Sequence, residues 1–238
     1  MLNLENADIG IQKSGRLTSE TLDWLNENVG TDFKVCSDPF DATREITDRA
    51  TGITIVGYSN VDILKAAVSS QVDVAVCGSD KLAEAELTDG SIIPRPIKWM
   101  GVGLCRMVLA RPLNAGDKPI RSVVTSYPKQ AELFVSRKCK NVPQVDYFGG
   151  GIEMITRRGG YDALVDIVST GETLRRNGMK EEAFIKNCGA IMVASISQQN
   201  PGWIVSAGQS GISQTPRGGA VYVDWGYSDD EGGGGFAH

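Results

Sequence analysis

A chain of 238 residues with 41% hydrophobic content can bury one large core or two smaller ones, which excludes a disordered protein. Its formal charge of -5 argues against a general nucleic-acid binder, because a phosphate backbone requires a basic surface. No apolar run reaches the length of a membrane span, and the opening MLNLENADIG carries acids where a secretory leader has basic and then apolar residues, so a cytoplasmic protein is expected.

In chain order, Ala7 to Ile11 reads as a short strand entering a loop broken by Gly15. Thr18 or Ser19 can cap the helix that follows, whose Leu22, Leu25 and Val29 fall at helical spacing before Gly30. Phe33 to Cys36 and Ile53 to Tyr58 read as strands around a polar connection. Ile63, Ala66 and Ala67 form a helical face, Val72 to Cys77 a buried strand, and a helix begins near Asp80. This β-α alternation predicts an α/β fold with mainly parallel sheets. Residues 94 to 124 change to strand-like runs punctuated by Pro and Gly, where the chain crosses into a second lobe. A helix at Lys129 to Ser136, a strand at Val145 to Phe148, a helix at Gly151 to Arg157 and a strand at Ala163 to Val168 follow, and Ala190 to Ile196 returns to the first lobe. The expected division is residues 1–95 with 185–215, residues 96–184, and a mobile Gly-rich acidic tail at 216–238.

Five widely spaced cysteines without a CxxC read as reduced, buried thiols rather than a zinc site. The only histidine is His238, so no mechanism with a histidine base in the folded core is available. In "DALVDIVSTGETLRRNG" an apolar strand carries Asp166 near its end and turns through Ser169, Thr170, Gly171, Glu172 and Thr173. Such a turn leaves backbone N–H groups and hydroxyls together, an anion cradle, with Gly171 allowing close approach and Asp166 placed for sugar hydroxyls. The plain alternative is a turn whose hydroxyls only cap a helix. Lys13 and Arg16, on a Gly-containing loop after the first strand, suit a polyphosphate or are merely solvated. Asp80 is a helix cap or a ligand, and Glu153 follows three glycines. These post-strand loops are expected to meet at one sheet edge.

"IGIQKSGRL", "VDVAVCGSDKLAE", "TSYP" and above all "EMITRRGGYDALVDIVSTGETLRRNG" resemble ATP phosphoribosyltransferase, the first enzyme of histidine biosynthesis, over roughly residues 7 to 196. The resemblance implies a two-lobed fold like that of type II periplasmic-binding proteins, with 5-phosphoribosyl 1-diphosphate held between the lobes. It implies that Thr170, Gly171, Glu172 and Thr173 hold the 5-phosphate, that Asp166 and Glu153 lie near the ribose hydroxyls, and that Lys13 and Arg16 stand near the diphosphate and the ATP phosphates. Mg2+ would arrive on the donor's diphosphate, with no protein cage. N1 of ATP would attack C1 of the ribose as pyrophosphate leaves, which needs orientation and charge neutralisation but no side-chain nucleophile.

Three positions depart from the family pattern. Met154-Ile155 stand where Ala-Pro is usual, Tyr161 where a small residue is usual, and "YSNVDIL" lacks the Arg and Pro of the corresponding segment. The Gly-rich C-terminal part resembles the short form, which lacks the regulatory domain. That form implies a homodimer working with a subunit related to histidyl-tRNA synthetase, and no nucleic-acid or membrane partner. Two other readings stay open: a non-catalytic anion-binding or sensor protein of the same fold, and a phosphoribosyltransferase with another acceptor.

Overall fold

The computed structural model describes residues 4–90 and 93–196, together with the backbone of residues 212–214 and 221–223. The chain divides into two units. Of the described residues, the first takes those up to Leu82, Asp89–Leu104 and those from Gly189 onward; the second takes Ala83–Thr88 and Cys105–Cys188. The expected tail at 216–238 lies outside the described residues except for strand β13 (Val221–Val223), which pairs antiparallel with β12 (Ile212–Gln214). No described helix is long and apolar enough to cross a membrane.

In the first unit, β1 (Asp8–Gln12) lies between β3 (Thr54–Tyr58) and β4 (Val74–Gly78), parallel to both, with Ile9 opposite Ile55 and Val74. Antiparallel pairings extend this trio: β2 (Glu45–Thr47) with β3, β11 (Ala190–Ala194) with β4, and β5 (Arg95–Trp99) with β11. The parallel strands read as apolar runs because helices cover them. Helix α1 (Arg16–Val29) lays Leu22 and Leu25 against Ile9, Ile11, Ile55, Val74 and Val76. Helix α2 (Ile63–Val68) buries Ile63, Ala66 and Ala67 and packs on β1 and β4.

Two local expectations are corrected here. Helix α1 starts at Arg16, so Thr18 and Ser19 lie inside its first turn, where their hydroxyls donate to the carbonyls of Gln12 (2.8 Å) and Arg16 (2.9 Å) instead of capping. Phe33 to Cys36 is not a strand. The Asn26 side chain takes both backbone groups of Phe33, donating to its carbonyl at 2.8 Å and accepting its N–H at 2.9 Å, so the segment clasps a helix rather than a neighbouring strand. The strand on that side is β2, within the polar connection.

The second unit is built on a five-stranded sheet in the order β10 (Met179–Cys188), β6 (Cys105–Pro112), β9 (Ala163–Val168), β7 (Ser122–Thr125), β8 (Gln144–Tyr147). Strands β9, β7 and β8 are parallel; β6 pairs antiparallel with β9, and β10 antiparallel with β6. Both sheets are thus mixed, with a parallel trio in the middle of the first and at one end of the second. Helix α4 (Pro128–Lys138) packs Ala131, Phe134 and Val135 on Met107, Leu109, Val123 and Val165. Ile152 of α5 (Ile152–Arg157) and Leu174 of α6 (Glu172–Arg176) join a second cluster with Val108, Ala110, Val124 and Leu164. Helix α3 (Ser79–Thr88) follows β4, and its Glu84 carboxylate accepts the N–H groups of Lys129 (2.7 Å) and Gln130 (3.1 Å), satisfying donors that open α4. Asp162, just ahead of β9, accepts the N–H groups of Arg121 (2.9 Å) and Ser122 (3.2 Å) while its own N–H donates to the Ser122 hydroxyl at 3.1 Å. The start of β9 is thereby tied to the start of β7.

Strand β10 had no counterpart in the sequence pattern. Its MKEEAFIKNC is rich in charge, and two register shifts against β6 break the two-residue alternation that would have revealed it.

Candidate functional site

The most distinctive polar geometry lies where β9 ends. Ser169 and Thr170 leave the strand exposed, Gly171 follows in the left-handed region at φ 74, and α6 begins at Glu172. Two arginines hold this turn from behind. Arg106 of β6 donates from Nη1 to the Ser169 carbonyl at 2.9 Å, and Arg175 donates from Nη1 to the Thr170 carbonyl at 3.0 Å. In a trans peptide the C=O and the next N–H point in opposite directions. With both carbonyls turned to guanidinium groups, the N–H groups of Thr170 and Gly171 face the other way. The N–H groups of Thr173 and Leu174 precede the first bond of the helix, Arg175 N to Gly171 O at 3.0 Å, and point out of its N-terminal end. Glu172 N reaches the Thr170 hydroxyl at 3.3 Å. The turn therefore presents several donors to one side, the arrangement an anion requires.

Arg106 is itself oriented by Glu181 of β10, donating from Nε to Oε2 at 2.9 Å and from Nη2 to Oε1. This bidentate pair holds the Glu181 carboxyl below its usual range, because Arg106 donates to it, and raises the Arg106 guanidinium for the same reason. A cavity of about 340 Å³ lined by Leu113, Gly171, Leu174, Arg175, Met179, Lys180 and Glu181 touches the turn at Gly171 alone. Ser169, Thr170, Thr173 and Asp166 do not line it, so it is distinct from the donor side of the turn.

Asp166 is half-buried on β9 opposite Val108, two residues before the strand ends, with Oδ1 accepting the Ile167 N–H at 2.8 Å. Glu153 is half-buried in the first turn of α5, after β8. Strands β8 and β9 flank β7 in a parallel trio, so Glu153 and the 169–173 turn follow strands whose C-terminal ends lie along one edge.

The remaining expected site residues belong to the other sheet. Lys13 follows β1 with an exposed side chain, its N–H donating to the Tyr58 carbonyl at 2.8 Å. Arg16, also exposed, opens α1 and pairs with Glu20 at 2.9 Å, one turn along. Asp80 follows β4 and is buried, its carboxylate folded back so far that a Cβ on Gly78 would lie 2.3 Å from Oδ1. Burial first, and the Asp80 charge second, push the adjacent Cys77 thiol up. The expectation that all these loops meet at one sheet edge is corrected. They form two sets, Lys13, Arg16 and Asp80 on the six-stranded sheet and Glu153 with 166–173 on the five-stranded one, because the chain changes sheets at Leu104.

The ATP phosphoribosyltransferase family model matches residues 59–205, more than half of the chain. The chain belongs to the ATP phosphoribosyltransferase family. Curated relatives include ATP phosphoribosyltransferases of Caldanaerobacter subterraneus, 31% identical over 136 residues, and of Deinococcus radiodurans, 28% identical over 156 residues. The first match covers 56% of this chain and 62% of the relative, the second 65% and 68%. The chain thus spans less than two thirds of the first relative's length. Among solved structures, the ATP phosphoribosyl transferase (HisG:HisZ) complex from Thermotoga maritima matches at a TM-score of 0.61 and 22% identity, covering 79% of this chain and 87% of that one. The periplasmic VFT2 domain of Bordetella pertussis BvgS matches at 0.52 and 14%, covering 83% of each chain. These likenesses establish the fold, the type II periplasmic-binding-protein-like α/β architecture.

The family's departures are filled by local contacts. Tyr161 donates its hydroxyl to Asp146 at 2.9 Å, which raises its pKa, and sets its ring edge-on to Phe148 at 6.2 Å. In the segment lacking Arg and Pro, Ser59 donates to Asp62 at 2.5 Å and Lys65 pairs with the same carboxylate at 3.4 Å, so the entry to α2 is closed by its own side chains. Arg106, Arg175 and Glu181 escaped the sequence reading. The cation interrupting the apolar run of "LCRMVLARP" was the one signal that pointed to Arg106.

Proposed function

We propose that the protein transfers a phosphoribosyl group from 5-phosphoribosyl 1-diphosphate to N1 of ATP, giving phosphoribosyl-ATP and pyrophosphate, the first step of histidine biosynthesis. The observation that carries this reading is the Ser169–Gly171 turn, whose carbonyls are held by Arg106 and Arg175 so that its N–H groups are presented together, in a chain of this family. In the proposal the donor's 5-phosphate sits against Thr170, Gly171, Glu172 and Thr173, with the Ser169 and Thr173 hydroxyls beside it. Asp166 and Glu153 accept hydrogen bonds from the ribose hydroxyls. Lys13 and Arg16 neutralise phosphate charge on the diphosphate and on ATP, and Asp80 shapes the loop after β4. N1 of the adenine attacks C1, the C1–O bond to the diphosphate breaks, and pyrophosphate leaves with the bonding pair. Catalysis then consists of holding the reactants in line and stabilising the departing anion.

Magnesium enters as part of the substrate. Among the described residues no group of three His, Cys, Asp or Glu side chains is placed to hold a metal ion. We also infer a homodimer assisted by a separate subunit related to histidyl-tRNA synthetase. The Thermotoga maritima neighbour, a HisG:HisZ complex, supports an assembly of two kinds of chain. The test is phosphoribosyl-ATP formation by the purified protein, alone and with such a subunit, in the presence of magnesium. ATP-dependent pyrophosphate release with the matching nucleotide product is expected. Pyrophosphate release with a different base would move the acceptor, and donor binding without any turnover would leave an anion-binding protein of this fold.

A further inference from the structure

The long segment of the second unit begins at Cys105 and ends at Cys188. These two cysteines are direct partners in the antiparallel β6–β10 ladder, at the end of three consecutive pairs: Met107 with Lys186, Arg106 with Asn187, Cys105 with Cys188. Both register shifts of that ladder fall on the other side of Lys186, so the last pairs are regular. Directly opposed residues in such a ladder present their side chains to the same face, with Cα atoms roughly 4.5 to 5.5 Å apart, inside the range a disulfide spans. The packing agrees. Cys188 belongs to the core cluster that contains Met107, Leu109 and Val165, and Cys105 packs against that same cluster.

We propose that Cys105 and Cys188 form a reversible disulfide that cross-links β6 to β10 when the protein meets a peroxide oxidant. The two differ in access, which sets the order of events. Cys105 is half-buried and reachable, whereas Cys188 is fully buried. The Cys105 thiolate attacks one oxygen of hydrogen peroxide, the O–O bond breaks, and a water is released, leaving a sulfenic acid. Cys188 then attacks that sulfur, the S–S bond forms, and the sulfenic oxygen leaves as a second water. Two thiols have given up two electrons and two protons, and the peroxide has become two waters. Cys188 needs no contact with solvent, because its partner brings the oxidised sulfur to it. Cys77 is fully buried with its thiol pushed up by burial, and the ladder registers set no cysteine opposite Cys36, Cys77 or Cys139, although Cys139 packs on the same cluster as the pair.

The inference is independent of the proposed transferase activity and is tested on the full chain. The native protein is treated with hydrogen peroxide, its remaining thiols are alkylated, and it is digested without reduction. A single peptide pair joined through Cys105 and Cys188, released by dithiothreitol, is expected; it should disappear in Cys105→Ser and in Cys188→Ala and persist in Cys36→Ser and Cys139→Ser. Should Cys188→Ala fail to fold, Cys105→Ser, at a half-buried position, carries the comparison. Full alkylation of both residues after oxidation, a disulfide from either one to Cys139, or Cys105 advancing to sulfinic acid with Cys188 still alkylatable would each overturn the proposal.

Discussion

Gly171→Ala tests the proposed phosphate-binding turn most directly, because Gly178 supplies a matched control seven positions along. Both glycines sit in the left-handed region, at φ 74 and φ 64. An alanine there costs roughly 1–2 kcal/mol in backbone conformation, partly offset by about 0.4–1 kcal/mol from stiffening the unfolded chain. Each variant should therefore lose about 1 kcal/mol of stability in urea unfolding. Their surroundings differ. A Cβ at Gly178 meets nothing within 4 Å, whereas at Gly171 it lies 3.2 Å from Arg175 Nη1, 3.5 Å from Glu181 Oε1 and 3.7 Å from Arg106 Nη2. Those are the ends of flexible side chains, so they yield at small cost to stability. The guanidinium groups that yield are the ones that orient the Ser169 and Thr170 carbonyls. Losing one hydrogen bond to a charged group costs about 1.5–3 kcal/mol, or roughly tenfold to hundredfold in Kd. Calorimetric titration with 5-phosphoribosyl 1-diphosphate should show that loss in Gly171→Ala and near wild-type affinity in Gly178→Ala. Normal donor binding by Gly171→Ala, or equal losses in both variants, refutes the assignment.

Thr173→Ala should weaken donor binding by a similar factor, about 1.5–3 kcal/mol for a hydroxyl on a charged phosphate, while urea unfolding changes little because the side chain is exposed; unchanged calorimetry counts against its role. Glu181→Gln tests the pair behind the turn. Its folded carboxyl lies below the usual value because Arg106 donates to it, so its contribution is present above the unfolded pKa and is lost as pH falls through the folded one. The stability gap between wild type and Glu181→Gln, measured by urea unfolding, should therefore be full near neutrality and close below about pH 4; a gap independent of pH would remove the ion pair as its cause. Glu84→Ala should cost about 1.5–3 kcal/mol in unfolding, since its carboxylate accepts two backbone N–H groups of α4 and the Gln130 side-chain amide at 3.1 Å, and Glu84→Gln should recover part of it. Arg16→Ala should depress turnover with little effect on the unfolding midpoint, because an exposed one-turn pair with Glu20 contributes only about 0.3–0.5 kcal/mol; unaltered kinetics would leave Arg16 a solvated side chain.

What could be read in advance follows from what is local. Strand β4 is an apolar run that ends at Gly78, and β9 is apolar but for Asp166 between Gly160 and Gly171, so both were visible. Phe33 to Cys36 has strand-like residues in sequence, yet the backbone groups of Phe33 go to Asn26, a pairing that no periodicity encodes. Strand β10 was hidden by its bulges and its Lys180, Glu181 and Glu182. The same division holds in the site. Ser169 to Thr173 are adjacent in the chain and their pattern stands out, whereas Arg106 reaches Ser169 across 63 positions, a contact that exists only once β6 and β9 have paired. Asp80 shows the limit from the other side. Its type and place before a helix suited either a cap or a ligand, and only the fold shows it turned back over Gly78.

Asp162 lies inside the stretch that most resembles the transferase signature, yet its described hydrogen bonds run to Arg121 and Ser122, where β7 begins. Parallel strands lack the hairpin that fixes alignment in an antiparallel pair, and a slip of one residue would turn every side chain of β9 to the wrong face. A carboxylate that clasps two successive N–H groups of the neighbouring strand stands in for that missing hairpin. Because Asp166 lies four positions downstream on β9, the clasp also decides which face of the sheet receives it. A signature of this kind is therefore partly an assembly instruction: some of its letters set the register of one strand against the next.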